Sequence, residues 1–411
     1  MSDYVILAAV VAVGVSVGRT FGFRASLEFG FVASVALIAK HYLYREKPKY
    51  PSRLVHNMLV STHHGNDAVG VVAIVTGSTS GIGQRIAEEL YRYGATVVIA
   101  SRNEAKSADV MADLRVRCPG CKGELVWGKL DTSDLDSVRD FAAWFGGKFE
   151  AADYLVNNAG IQYASSAGEP LKNLSAPIIS KQGYDDCFVT NYLGHFLLTH
   201  LLLPKLRLRV INIASSFHFQ ADGTTLDPLL GPGGRPQASI EGGFTHRMQA
   251  YGVSKLAQVL HSNELQRRFA SLGHPNLKAI SVCPGWVDTH ILGETLGARI
   301  IGTNAFNVDE GILSPMAAIF DPLLKGGEYV LNEDLPFRMQ PWFDPILAKL
   351  TKSGWRDYVL FAFAGYLNLV QYYSYGYRAL PCSPEASDPR LAKDFYEWSL
   401  QTLKDKNYIT A

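Results

Sequence analysis

The sequence predicts an α/β fold built on a doubly wound parallel sheet, and three observations carry that prediction. From Val71 onward, short β-rich apolar runs alternate with helical ones. A glycine-rich turn, Thr76-Gly77-Ser78-Thr79-Ser80-Gly81-Ile82-Gly83, directly follows the first of these runs and opens a helical one. The chain has 411 residues, 47% apolar and 19% charged, which is enough to bury a full core. Strand and helix in alternation wind into a parallel sheet with helices on both faces and a ligand crevice at the strands' carboxyl ends.

Two apolar stretches precede that domain. Tyr4 to Gly18 is a run of apolar and small residues broken by Arg19; Phe29 to Ala39 is closed by Lys40, Arg45, Lys47 and Lys49. Each is short of the roughly 20 residues a lone spanning helix needs. Counting a snorkelling Arg19 and the Phe-Gly-Phe after it brings the first near that length. A signal anchor, a two-helix hairpin and a cleaved signal peptide compete. Met1-Ser2-Asp3 lacks the basic residues of a signal peptide, and the cations after Ala39 favour leaving that end in the cytosol. Residues 1–45 are thus expected to be a membrane anchor, and 46–69 a polar linker. His63 and His64 in that linker are adjacent and share no helix face for metal.

Within the domain, Val71 to Val75, Thr96 to Ile99, Tyr154 to Val156, Val210 to Ile213 and Ala279 to Val282 are expected as buried strands. Gln84 to Tyr93, Ser133 to Phe145 and Ser254 to Phe269 are expected as helices. The glycine turn brings backbone close to a pyrophosphate at a helix N-terminus, with Gly77, Ser80, Gly81, Ile82 and Gly83 as the candidate contacts. Its Gly-x-x-x-Gly-x-Gly spacing departs from the commoner dinucleotide pattern. The second strand ends at Ala100-Ser101-Arg102-Asn103, where an acid would select NAD and an arginine accommodates a 2′-phosphate. Ser101 and Arg102 therefore point to NADP(H). Asp131, in the Leu130-Asp131-Thr132 that closes a further strand, stands where an acid meets adenine.

The chemistry lies in Asn157-Asn158-Ala159-Gly160, Asn191, Ser215 and Tyr251-Gly252-Val253-Ser254-Lys255. Tyr251 and Lys255, four apart, share a helix face. A phenol with a pKa near 10 is a poor base, and an adjacent ammonium favours its phenolate. In order and context these motifs, over about Val69 to Asn332, resemble the short-chain dehydrogenase/reductase superfamily. That resemblance implies a Rossmann-type NADP-binding domain (70–335), a hydride exchanged with the cofactor, and Tyr251 as proton donor or acceptor. It gives Ser215 to the substrate carbonyl, Lys255 to the nicotinamide ribose and Asn191 to a water relay. Ser216 competes for the serine role, and alignment on Asn212 favours Ser215. Asn158, Ala159 and Gly160 would line the cofactor, and Pro284, Gly285, Val287 and Thr289 would close over the nicotinamide. Asn191 to Leu203, Ser254 to Leu260 and Ala392 to Leu403 look like the retinol dehydrogenase branch, with His195 and His200 as packing or surface residues. Members of that branch are often tethered to endoplasmic-reticulum or lipid-droplet membranes and act on retinoids, steroids or polyprenols.

Extra sequence departs from the family pattern. Gly231 to Pro236 and Pro170 to Pro177 enlarge two loops on the substrate side. After a last strand at Glu328 to Leu331, residues 336–385 form an apolar insertion, followed by a closing helix and tail (386–411). Trp342 to Tyr377 reads as a membrane-dipping or lid segment, or as an apolar interface of a homodimer. Five cysteines fit no disulfide framework, and Cys118-Pro-Gly-Cys121 reads as a polar loop with two thiols, with no metal site. A net charge of +1 excludes a global pull on nucleic acid. The function these features favour is interconversion of a lipophilic alcohol and its carbonyl; a membrane-tethered NADP sensor or scaffold is the rival from another class, and a reductase of soluble substrates the second enzymatic alternative.

Overall fold

Among the described residues, eight strands form one sheet in the order β3-β2-β1-β4-β5-β6-β7-β8. The computed structural model describes residues 68–162, 179–221, 244–285, 287, 289, 307–332, 377–380 and 382–410. The expected anchor, nearly all of the linker with its two histidines, the loops at 170–177 and 231–236, and all of 336–376 lie outside the described residues. Among those described, no helix is long and apolar enough to cross a membrane.

Strands β1 (Val72–Thr76), β2 (Thr96–Ser101), β3 (Glu124–Lys129), β4 (Ala152–Asn157), β5 (Leu206–Ile213), β6 (Lys278–Cys283) and β7 (Tyr329–Asn332) are parallel. The central strands are buried on both faces, as expected of a sheet covered on either side. The order reverses between β1 and β4, and the crevice outside that switch point is where the glycine turn and the Asn-Asn-Ala-Gly turn meet. One strand escaped the sequence. β8 (Tyr377–Leu380) pairs antiparallel with β7 and begins at the last tyrosine of the expected apolar insertion. A four-residue edge strand leaves almost no period-2 signal to read.

The helices run longer than their apolar spacing suggests. α1 (Gly81–Arg92), α2 (Glu104–Arg117) and α3 (Leu135–Lys148) follow β1, β2 and β3. Asn103 and Asp134 cap α2 and α3 by accepting backbone N–H bonds, which places both starts at polar residues ahead of the apolar stripe. The next helix is composite: Asp186–Phe188, a π segment Val189–Leu193, then α4 (Gly194–Leu202). The catalytic-motif helix α5 spans Phe244–Arg268 and so begins well before Ser254. After β6 come α6 (Val308–Gly311) and α7 (Leu313–Phe320), and after β8 α8 (Pro384–Ser387) and α9 (Pro389–Asp405).

Helix α9 braces the site from behind. Phe395 is fully buried, 5.0 Å between ring centroids from Tyr192, and the Tyr192 hydroxyl bonds Ser399 at 2.6 Å. Arg268 of α5 pairs with Glu397 of α9 at 2.7 Å and lies over the Tyr396 ring. The π segment and the tyrosine-bearing helix are thus clamped to one support.

Cys118 and Cys121 correct the expectation of two free thiols. Gly120 adopts a φ of +89° and folds the chain back, the Cα atoms stand 5.7 Å apart, and the sulfurs are joined as a disulfide. Cys187, Cys283 and Cys382 are free.

Candidate active site

The phosphate end is built by the turn between β1 and α1. Gly77, at φ +65°, turns the chain where a side chain would strain it, and Gly81 has φ +55°. A Cβ on Gly83 would lie 2.6 Å from the Gly77 carbonyl oxygen and collide with the Asn158 amide. The turn therefore closes onto the Asn-Asn-Ala-Gly turn only because that position is bare. Asn158 ties the two turns, donating to the Thr76 carbonyl at 2.8 Å. Ser80 occupies the N-cap of α1 with no side-chain cap bond, and the first turn of α1 holds no acid. The buried Ser78 hydroxyl has no partner among the described residues. An open helix N-terminus with two hydroxyls at hand fits the pyrophosphate of a nicotinamide dinucleotide.

At the adenosine end the predicted residues separate. Ser101 is buried and its hydroxyl bonds that of Ser107. The Arg102 side chain is 72% exposed, and Asp131 reaches it only at 3.9 Å. Asp131 lies two residues beyond β3 and bonds the Ser133 backbone and hydroxyl at 3.0 and 2.6 Å. One of its oxygens is thereby committed to its own loop.

The nicotinamide-side segment leaves β6 at Pro284 and Gly285. Asn332 donates to the Pro284 carbonyl at 2.9 Å, and Ser314 donates to the Cys283 carbonyl at 3.0 Å. Val287 packs where a side chain on Gly311 would clash, and Thr289 comes to Gly81, its methyl 3.2 Å from where a Cβ would lie. The segment reaches the glycine turn from the other end of the crevice. Gly160 lies beside Asn191, whose side-chain oxygen is 3.3 Å from the position of a Cβ there.

The reactive groups converge at the end of β5. Ser215 caps a short 3₁₀ turn (Ser216–Gln220) by accepting the Phe217 N–H at 3.2 Å, and it lies near enough to Tyr251 to favour the phenolate. Ser216 donates its N–H to Cys283 Sγ at 3.2 Å. Of the two serines, Ser215 is the one whose side chain acts on the Tyr251 phenol. The Lys255 ammonium stands 5.4 Å from the Tyr251 ring centroid and donates to the Ile213 carbonyl at 2.8 Å and to Gln258 Oε1 at 2.9 Å. Asn191, inside the π segment, accepts from Ile161 N–H at 2.8 Å and donates to the Ile161 carbonyl at 3.0 Å. It thereby fixes the chain leaving β4.

The electrostatics differ from the simple expectation. Burial pushes the Tyr251 phenol up, nearby Cys187 and Cys283 add to that, and the Ser215 hydrogen bond opposes it. Burial also lowers Lys255, to about 8. Near neutral pH the pair is a protonated phenol beside an ammonium, the form that delivers a proton to a carbonyl oxygen.

His195 carries more than packing. It is buried, bonds the Asn191 carbonyl through Nδ1 at 2.9 Å, and meets the Thr76 hydroxyl through Nε2 at 2.9 Å. The same Thr76 oxygen accepts from Asn158 and Ala159 N–H, both at 2.9 Å. Because a carbonyl only accepts, Nδ1 bears the proton of this ring, and burial lowers its pKa to about 4. A neutral histidine thus joins both turns to the π segment. The clue in the sequence was its place four residues after Asn191, one helical turn on.

Comparison with known proteins agrees with this geometry. Residues 71–222 match the family model described as short chain dehydrogenase. The chain is 33% identical to human (Homo sapiens) polyprenol dehydrogenase over 64% of its own length and 77% of the relative's. It is 32% identical to the chloroplastic short-chain dehydrogenase TIC 32 B of Brassica napus, over 65% and 81% respectively. Mouse (Mus musculus) retinol dehydrogenase 12 is 34% identical over 54% of this chain and 63% of its own. A crystal structure of an uncharacterised protein from Mycobacterium paratuberculosis superposes with a TM-score of 0.56 at 26% identity, covering 82% of this chain and 95% of that one. Family, fold and site coincide: the chain belongs to the short-chain dehydrogenase/reductase superfamily, in its retinol-dehydrogenase-like branch.

Proposed function

We propose that this protein is an NADP(H)-dependent oxidoreductase interconverting a lipophilic alcohol, of retinoid, sterol or polyprenol type, and its aldehyde or ketone. The convergence of Ser215, Tyr251 and Lys255 at the end of β5 carries this reading. The cofactor, when bound, supplies or accepts the hydride. Ser215 holds the substrate oxygen by a hydrogen bond and orients it toward Tyr251. Tyr251 gives that oxygen its proton in reduction and takes it back in oxidation. Lys255 keeps a positive charge beside the phenol, where negative charge develops as the proton leaves.

Arg102 supports the choice of NADP(H). It is the exposed cation at the end of β2, no acid occupies the position that selects a ribose hydroxyl, and its ion pair with Asp131 is long at 3.9 Å. The lipophilic substrate class rests on the relatives, whose names include polyprenol and retinol dehydrogenases. Residues 1–45 supply the membrane anchor in this reading, and 336–385 a lid or second membrane contact. The catalytic domain faces the cytosol from an endoplasmic-reticulum or lipid-droplet surface.

The test is turnover of retinoids, sterols and polyprenols by detergent-solubilised protein, with NADPH and NADH in parallel and Tyr251→Phe as control. Activity with NADPH that disappears in the control, while cofactor binding persists, is the expected result. Full activity in Tyr251→Phe removes the assignment. NADPH binding without turnover of any substrate shifts the function to a cofactor-binding sensor or scaffold.

A further inference from the structure

Lys255 is held in an unusual way. Its ammonium has three donors, and among the described residues two go to protein acceptors, the Ile213 carbonyl and the Gln258 side-chain oxygen, at 2.8 and 2.9 Å. Gln258 stands three residues on along α5, on the same face. Its amide nitrogen is buried and has no partner among the described residues. An orphaned buried donor is costly, so the amide is a poor choice for filling space alone. An apolar side chain of similar length would pack there without that loss. What the amide gains is its oxygen on the ammonium. Turning it over would set two donors against each other, so its orientation is fixed by Lys255.

We infer that Gln258 is a positioning residue for the proposed reaction: its neutral carboxamide holds the Lys255 ammonium at Tyr251 without cancelling its charge. The titratable groups that act on or with Lys255 are Tyr251 on its own helix, Cys187 ahead of the π segment, Cys283 at the end of β6 and His195 on α4. None is a carboxylate. With no carboxylate counter-ion among the described residues, the positive charge acts on the phenol and on the oxygen of the substrate. A dipole oriented by the helix sets the position of that charge and leaves its magnitude unchanged. Two of the three donors are thus fixed, and the third is left for a ligand hydroxyl in the crevice.

This inference rests on the assignment of Tyr251 as the proton carrier, and its test separates the two. Lysine side-chain NMR on the full-length protein, with the Lys255 signal identified by its loss in Lys255→Met, follows the ionisation of Lys255 with no substrate needed. Gln258→Glu should raise the Lys255 pKa by about one unit or more, as an opposite charge at hydrogen-bond range does. Gln258→Met, which keeps the volume and removes the acceptor, should lower it. In turnover, Gln258→Glu should move the pH limb of alcohol oxidation upward, because the quenched ammonium no longer favours the phenolate, with KM for the alcohol little changed. Gln258→Asn, which retains the amide on a shorter reach, should recover part of the rate lost in Gln258→Met. A Lys255 titration and a pH limb identical to wild type in both variants, whatever their melting temperatures, overturn the inference. Full turnover by Tyr251→Phe would instead overturn the assignment beneath it.

Discussion

Mild acid should weaken this fold, and the histidines allow the size of the effect to be worked out. His195, His218 and His261 are all buried, and burial is the first cause lowering their pKa values from 6.5 to about 4, about 4 and about 3. Each unfolded histidine binds a proton near pH 6.5, whereas the folded one resists until about pH 4 or below. The unfolded state therefore binds more protons in that window. Stability is fully present above pH 6.5 and is lost as pH falls toward the folded values. From pH 7 to pH 5 the loss is about 2 kcal/mol per histidine, or roughly 6 kcal/mol together as an upper bound, since His195 and His261 are coupled. A typical domain has only about 5–15 kcal/mol to lose.

His218 shows what protonation would break. Its Nδ1–H donates to the Ser215 carbonyl at 2.8 Å, and its Nε2 accepts the Ser383 N–H at 3.1 Å. A second ring proton would face that N–H donor and release Ser383, the cap of α8, from the loop carrying Ser215. Urea unfolding followed by tryptophan fluorescence and circular dichroism at pH 7 and pH 5 measures the loss. His218→Gln should remove about 2 kcal/mol of the pH dependence. Asp186, whose carboxyl is raised by burial, contributes with the opposite sign, and an Asp186→Asn background isolates the histidine effect. Equal denaturation midpoints at the two pH values, or an undiminished pH dependence in His218→Gln, would refute the reasoning.

Other perturbations probe the cofactor crevice and its support. Gly83→Ala places a methyl 2.6 Å from the Gly77 carbonyl, and calorimetry should show cofactor affinity reduced roughly tenfold or more, with about 1–3 kcal/mol of stability lost. Arg102→Ala should lower the ratio of kcat/KM for NADPH over NADH by roughly tenfold, the equivalent of about 1.4 kcal/mol, with the NADH value unchanged. Phe395→Ala, at a fully buried ring 5.6 Å from Trp398, should cost about 3–5 kcal/mol in urea unfolding.

What could be read in advance was whatever local spacing encodes. The glycine turn, the Tyr251–Lys255 pair and the apolar strand runs each involve residues within one element and its flank, so pattern alone located them. What escaped reading depends on contacts between distant elements. The inward turn of Ser101 depends on Ser107 lying above it on α2, and an exposed and a buried serine look identical in sequence. The disulfide depends on the left-handed conformation of Gly120, which metal-ligand arithmetic on two cysteines does not weigh. His195 looked like filler on an apolar helix because its partners, the Asn191 carbonyl and Thr76, come from a π segment and from a strand 119 residues away. The rise in the Tyr251 pKa is the most instructive case. Spacing places an ammonium beside the phenol and predicts a fall, but desolvation of the same site acts first and in the opposite direction. Sequence spacing names the charges that meet at a site. How far each is buried then decides which way their pKa values move, and so which proton the site holds at rest.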